Sequence, residues 1–363
     1  MRNQLITIQY NSNPWQLGMS FESHAYLKKQ LNPESSTYLQ VVGMNNFVLG
    51  NEPYTFWLRR FSRNKRSLEK LNEQLENNCY IDGTKYSRSV TRRFRHEYEN
   101  MGFNSIIRSA EKSFGINSNS AKSAVKLALV DKMKLWNVND LDRIKESKNF
   151  LIAYIATYVM VKSKLMGNEY RYLNIFNSRF LNERATKDVA AEFNLKVFEF
   201  EQVNSRSDSF GIFETNVHDP IARAEIARKQ FKVEHKQVRT ENNYAKEWIN
   251  KRRNENLQKF TRLQVKGKLP SIPNDRKLLS CFLSSFDELI LAGYASKESG
   301  LNQNNALGLL SEEIARNPNW ILVIRCHPNM LTRPEFEQIY WRNLLKSIDA
   351  VVIMPEDDIH SYA

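Results

Sequence analysis

Between positions 278 and 354 the chain repeats one pattern, a short apolar run followed by a helix-length stretch. The segments 278–283, 320–324 and 350–354 read as strands, and 304–316 and 334–346 as the helices between them. Asn317-Pro318 ends the first helix, and Thr332-Arg333-Pro334-Glu335 has the form of a capping box for the second. Strands joined by connections of this length pair in parallel, because a parallel pair needs a crossover. The pattern therefore predicts a βαβαβ run, an open sheet that takes ligands at the carboxyl ends of its strands. The chain stops at Ala363, where a third helix is due, so a partial C-terminal domain is expected.

The same alternation occurs upstream. Segment 172–176 reads as a strand, 181–193 as a helix with Leu181, Ala185, Val189 and Phe193 on one face, and 195–200 as a strand. This places the turn Asn177-Ser178-Arg179 at the ligand edge of a parallel strand. Near the N-terminus, strands 5–10 and 38–42 flank a helix at 21–30. Residues 52–167 are polar, basic and mostly helical in pattern, and read as a helical insertion. Asp219-Pro220 supplies an N-cap and a proline at the first helical position, opening a basic helical stretch to about Gln264. Gly267, Pro270 and Pro273 mark a linker at 266–277. The fold class expected is α/β, with two Rossmann-like domains facing a cleft, at 1–265 and 278–363.

A chain of 363 residues exceeds what one core usually organises, and its 41% apolar content suffices for two. The longest apolar run, 150–161, ends at Lys162, well short of the roughly 18 residues of a membrane span, and reads as a buried helix. The first ten residues lack the apolar region and cleavage site of a secretory signal, so the mature protein is expected to begin near Met1. Cys79, Cys281 and Cys326 lie far apart, odd in number and without metal-ligand spacing, which fits a reducing cytoplasm. Net charge is +13, clustered at Arg59-Arg60, 63–66, 92–95 and 251–253. Such clusters attract a polyanion: nucleic acid, anionic lipid headgroups or an acidic glycan.

The sharpest local feature is the buried-type strand Ile321-Leu322-Val323-Ile324 running into Arg325-Cys326-His327-Pro328-Asn329. An imidazole at a strand's carboxyl end can donate a hydrogen bond to phosphate and, protonated, offset the charge of a departing nucleotide. The alternative is a histidine that only bonds a loop carbonyl. Ser284 and Ser285 follow the first strand of this domain, and Glu356, Asp357, Asp358 and Ser361 follow the third. Hydroxyls there can bind phosphate or ribose, while the acidic residues also read as helix caps. A general base for an acceptor hydroxyl would come from Glu22, His24, Glu201 or Asp219; each also reads as an ordinary surface or capping residue.

The order of these motifs resembles the donor domain of the capsule-polysaccharide-biosynthesis glycosyltransferases: serines after the first strand, Arg-x-His-Pro-Asn after the second, and Pro355-Glu356-Asp357-Asp358-Ile359-His360-Ser361-Tyr362-Ala363 after the third. It is similar in this half to bacterial sialyl- and Kdo-transferases and to glycerophosphate polymerases, whose His-Pro turn contacts donor phosphate. The resemblance implies the GT-B architecture, with His327, Arg325, Ser284, Ser285, Asn329 and Ser361 on the donor side. Upstream, Phe176-Asn177-Ser178-Arg179-Phe180 resembles the family's Asn-Gly-Arg turn, with Ser178 in place of glycine, and 198–201 its Tyr-Glu strand end. Asn177, Arg179 and His24 are then the acceptor or cleft residues, and the loop 13–24 resembles the family's more weakly.

The function expected is transfer of a sugar from a nucleotide-sugar to a glycan or lipid-linked acceptor in capsule or surface polysaccharide synthesis. No cofactor or metal is expected, since Asp-x-Asp and His/Cys ligand patterns do not occur in a donor-like context. The site of action expected is the cytoplasmic face of the inner membrane, where the basic clusters hold the protein to anionic lipid. A phosphotransferase using a cytidine diphosphate polyol is the alternative within enzymes. A basic nucleic-acid-binding protein is the alternative outside them, against which stands the lack of an aromatic ladder or a groove-reading motif.

Overall fold

Strand β1 (Gln4–Tyr10) alternates Leu5, Thr7 and Gln9 with Ile6, Ile8 and Tyr10, and all six are buried. A strand buried on both faces belongs at the centre of a sheet covered by helices on each side. The structure, a computed structural model, describes residues 4–10, 14–41, 80–133, 140–202, 210–214, 264–265, 267–273, 275–285 and 303–359, with isolated positions between 223 and 250. It divides into two compact units, Met1–Arg223 and Ala224–Ala363.

In the first unit β1 is followed by α1 (Pro14–Leu31), β2 (Ser35–Val41), β3 (Tyr80–Asp82), α2 (Thr84–Glu97), α3 (Phe103–Phe114), α4 (Ser118–Met133), α5 (Lys145–Leu165), β4 (Tyr170–Phe176), α6 (Leu181–Glu192), β5 (Lys196–Gln202) and β6 (Phe210–Phe213). The sheet runs β3-β2-β1-β4-β5-β6, parallel except for β6 at the edge. This is a Rossmann-like order, with the reversal between β1 and β4.

The faces sort by the two-residue period of the strands. Ile6, Ile8, Leu39, Val41, Leu173 and Ile175 pack against Phe94, Ile106, Val125, Ile155 and Val189 of the helices α2–α6. On the other face α1 lays Leu27 against Leu5 and Phe198, Phe21 against Tyr38, and Met19 against Phe176 and Phe200. The helices of 84–165 are thus the second layer of the sheet and the crossover from β3 to β4, where an insertion was expected. Segment 150–161 lies inside α5, almost wholly buried, and among the described residues no helix is long and apolar enough to cross a membrane. Helix α1 begins at Pro14, seven residues before the expected 21, so most of the expected loop 13–24 is helical. Proline suits a first turn, where its missing N–H costs nothing.

The second unit contains β7 (Lys277–Phe282), α7 (Gln303–Ala315), β8 (Trp320–Arg325), α8 (Glu335–Lys346) and β9 (Val351–Ile353), with the strands parallel in the order β7-β8-β9. Both helices pack on one face, where Leu307, Trp341 and Leu345 meet Leu279, Cys281, Leu322, Ile324 and Val352. The capping box expected at 332–335 does not form. Thr332 ends a 3-10 turn, Pro328–Thr332, and Pro334 occupies the N-cap without a side-chain hydrogen bond. Residues 264, 265, 267 and 268, placed by sequence at the domain end and linker, belong to this unit: the Val265 N–H donates to the Asp358 carbonyl at 2.7 Å, and Lys268 pairs with Asp358.

Candidate functional site

Strand β4 leads directly into the turn 177–180 at the carboxyl edge of the first sheet. The Asn177 N–H donates to the Phe200 carbonyl at 3.1 Å, and its Oδ1 accepts from the Arg179 N–H at 3.1 Å, which closes the turn. Glu199 and Glu201 stand two residues apart on β5 and so share a face. Glu199 Oε1 accepts from the Ser178 hydroxyl at 2.6 Å and from the Lys187 ammonium at 2.6 Å, and Oε2 accepts from the Ser178 N–H at 3.3 Å. Glu201 accepts from the Asn177 side-chain amide and, at 2.9 Å, from the Gln202 N–H. The turn is therefore fastened to its neighbouring strand by two carboxylates. Ser178, where the resembling family has glycine, uses its hydroxyl in that fastening.

Arg179 is oriented differently. Its guanidinium carbon sits 4.9 Å from the centre of the Phe180 ring, a cation–π arrangement, and its Nε is buried without a hydrogen bond. An unpaired buried N–H costs about 1–3 kcal/mol, so the group is held at some expense. Behind the turn, Tyr154 donates to Asp188, whose carboxyl is raised by burial against the opposing pull of Tyr154 and Arg184. Burial in turn lowers the pKa of Arg184, with Asp188 and Glu199 opposing the shift.

On the second sheet Phe282, Arg325 and Ile353 lie side by side in register. Two residues beyond them come Ser284, His327 and Pro355, so three strand ends share one rim. His327 Nδ1 accepts the Asn329 N–H at 3.1 Å, which leaves Nε2 to carry the proton in the neutral ring. Gln303 at the start of α7 binds both backbone groups of Ser284 at 3.0 Å. Ser285, fully buried, accepts from Arg333 Nη2 at 3.2 Å, joining the turn after β7 to the one after β8. Arg325 is buried and donates to the Met354 carbonyl at 3.2 Å; burial lowers its pKa, partly offset by Asp357. The neighbouring Cys326 thiol is pushed up to about 12 by burial, against the pull of Arg325, and is inert at neutral pH. Glu356 pairs with Arg342 at 2.7 Å, Asp357 accepts the Met354 N–H at 2.7 Å, and Asp358 pairs with Lys268, so the acidic run fastens its own turn.

Among the sequence candidates, Asn177, Arg179 and Glu201 come together at the first rim, and Ser284, His327 and Asn329 at the second, with Arg325 and Ser285 buried just behind it. Glu22 is exposed on α1. His24 is fully buried on the inner face of α1, its Nδ1 2.8 Å from Thr7 Oγ1 and its ring edge-on to Tyr38. Asp219 and Ser361 lie outside the described residues. The sequence reading did not single out Glu199, Lys187, Gln303 or Arg333. The run Phe198-Glu199-Phe200-Glu201 carried the signal for the first of these, since its alternation puts both carboxylates on one face.

Among the described residues no group of three or more His, Cys, Asp or Glu side chains is placed to hold a metal ion. A groove of about 550 Å³ runs between α1 and the β5–β6 edge, lined by Tyr26, Leu27, Phe198, Phe210, Ile212 and Glu214 among others, and none of the candidate residues borders it. No protein-family model matches the chain, and no curated protein is significantly similar to it. Two solved structures resemble it weakly. A tryptophanyl-tRNA synthetase from Plasmodium falciparum is 10% identical over 55% of this chain and 50% of its own, with a TM-score of 0.30. A protein described as a UDP-N-acetylglucosamine 2-epimerase from Listeria monocytogenes is 9% identical over 99% of this chain and 71% of its own, with a TM-score of 0.22. At these scores neither likeness carries an argument about fold or function.

Proposed function

We propose that this chain is a glycosyltransferase of GT-B type that moves a sugar from a nucleotide-sugar to a glycan or lipid-linked acceptor in surface polysaccharide synthesis. One observation carries the reading: His327 lies two residues beyond the central strand of a parallel sheet, level with Ser284 on the same rim, and its Nδ1 accepts the Asn329 N–H, which puts the proton of the neutral ring on Nε2. On this reading the donor diphosphate lies at the rim of the second unit, bonded by Nε2–H of His327 and by the Ser284 hydroxyl, with Asn329 and Ser361 beside it. Ser285 and Arg325 stand behind that rim. The acceptor hydroxyl attacks the anomeric carbon and passes its proton to a carboxylate, for which Glu22, Glu201 and Asp219 are the candidates. The bond from the anomeric carbon to the phosphate oxygen breaks, and His327 and Arg325 offset the charge left on the nucleotide. Asn177 and Arg179 are assigned to the acceptor side.

The reading places the protein at the inner membrane face, held by exposed basic residues. Arg92, Arg93 and Arg95 are exposed on α2, while Arg59, Arg60 and the 63–66 cluster lie outside the described residues. Calorimetry of the chain against CMP, CDP, UDP and GDP tests the donor site. One nucleotide binding to the wild type and losing affinity in His327→Ala is the expected result; affinity unchanged by that substitution would remove the donor site from this rim.

A further inference from the structure

Among the described residues, the rim of the first unit has a cation without a counter-ion. The three carboxylates that fasten or flank the neighbouring groups are each engaged: Glu199 with Ser178 and Lys187, Glu201 with Asn177 and the Gln202 N–H, and Asp188 with Tyr154. Arg179 forms neither an ion pair nor a side-chain hydrogen bond among the described residues, although it sits in the turn that Glu199 and Glu201 hold. The Phe180 ring, 4.9 Å from the guanidinium carbon, confines the group from one side, and the closed turn fixes its stem. A planar fork of N–H donors, confined at the carboxyl edge of a parallel strand and without a partner among the described residues, suits an oxyanion bound through two parallel hydrogen bonds.

We propose that Arg179 binds an anionic group, phosphate or carboxylate, on the molecule that occupies the first unit. This deepens the glycosyltransferase reading and rests on it for one point only, that the occupant is the acceptor: the acceptor carries a phosphate, as a lipid-linked glycan does, or a carboxylate, as an acidic sugar does. Arg179 selects such acceptors over neutral ones. Glu199 and Glu201 act at one remove, as positioning residues that hold the turn.

The test is calorimetry on the full chain with glycerol 1-phosphate, methyl glucuronide and the neutral methyl glucoside as probes. At least one anion binds and the neutral glycoside does not. Arg179→Gln lowers that affinity about 10- to 100-fold, the worth of a hydrogen bond to a charged group. Arg179→Lys, which keeps the charge but not the fork, restores part of it, and Phe180→Leu, which removes the ring contact that confines the guanidinium, weakens it several-fold. Preference for the phosphate or for the carboxylate identifies the source of the charge. Equal binding of all three probes, or anion binding unmoved by Arg179→Gln, overturns the proposal. His327→Ala separates the two readings: it leaves anion binding at Arg179 intact, and anion binding lost in that variant would place the ion in the second unit and overturn the proposal. Failure of every nucleotide to bind, with Arg179-dependent anion binding retained, would sink the glycosyltransferase reading and leave this site standing.

Discussion

The Lys187 ammonium lies 2.6 Å from the carboxylate of Glu199, which is buried on β5, and the same carboxylate holds the Ser178 hydroxyl. The two partners are unequal, because the lysine side chain is 39% exposed and the glutamate 1%. Removing the lysine leaves a buried charge, whereas removing the charge leaves a lysine that water can solvate. Lys187→Met is therefore expected to cost about 2 kcal/mol, discounted for the solvent at the lysine, and Glu199→Gln about 1 kcal/mol or less. Urea unfolding of both variants checks the order, and equal losses would contradict it.

The buried imidazole of His24 gives a pH dependence. Burial, with a smaller contribution from the charge of Lys28, lowers its pKa to about 4, below the ordinary value near 6.5. The unfolded chain then binds the proton first, so between roughly pH 6.5 and 4 stability falls as the pH falls. The loss contributed by this group is on the order of 3 kcal/mol by pH 4. Urea midpoints across that range are expected to fall less steeply in His24→Gln than in the wild type. Parallel slopes would show that His24 titrates normally.

Gly83 joins β3 to α2 where space is the constraint. A Cβ there would lie 2.6 Å from Val41 Cγ1 and 3.2 Å from the Gln40 carbonyl oxygen, which also accepts the Gly83 N–H at 2.8 Å. Gly83→Ala is expected to cost about 1–3 kcal/mol from overpacking. Gly102→Ala, with nothing within 4 Å of the added atom, serves as the control and should cost less than Gly83→Ala by thermal unfolding.

Much of this architecture was legible where the buried face of an element is apolar. The helix expected at 181–193 is α6, Leu181–Glu192, and its stop at Asn194 has a physical basis in that residue's φ of 54°, a left-handed backbone that asparagine tolerates. The strand expected at 320–324 is β8. The first half of α1 was missed because its buried apolar residues Leu17, Met19 and Phe21 stand two apart, with Gly18 and Ser20 between them, and Ser20 accepts from the Tyr38 hydroxyl at 2.9 Å, so no helical apolar period marks the segment. Strand β3 has three residues and β6 four, too few for alternation to register. Of the first rim, Asn177 and Arg179 could be placed from strand-turn-helix order alone. The alternation of 198–201 puts Glu199 on the face of Glu201, but its bond to Ser178 could not be read, because it spans 21 positions and depends on which strand lies beside β4.

The proposed attachment to anionic membrane through α2 is open to direct measurement. Arg92 and Arg95 stand three apart on the exposed face of the helix, and each basic side chain near an anionic surface contributes about 1 kcal/mol. Arg92→Gln/Arg95→Gln is expected to weaken binding to vesicles containing phosphatidylserine about tenfold or more, with little binding to phosphatidylcholine vesicles in either case. Equal sedimentation on both kinds of vesicle would remove the electrostatic basis.

Transfer itself is the most direct test. The chain is incubated with membranes that supply acceptor and with radiolabelled nucleotide-sugars, and label in polymer is counted beside nucleotide released, for the wild type and for His327→Ala with an unchanged melting curve. The account predicts that one nucleotide-sugar labels the polymer, that nucleotide release requires acceptor, and that His327→Ala lowers the rate about 100- to 1,000-fold, the usual cost of losing a donor to developing charge. Label entering only from a cytidine diphosphate polyol would identify a phosphotransferase, and transfer undiminished in His327→Ala, or absent with every sugar donor, would contradict the account.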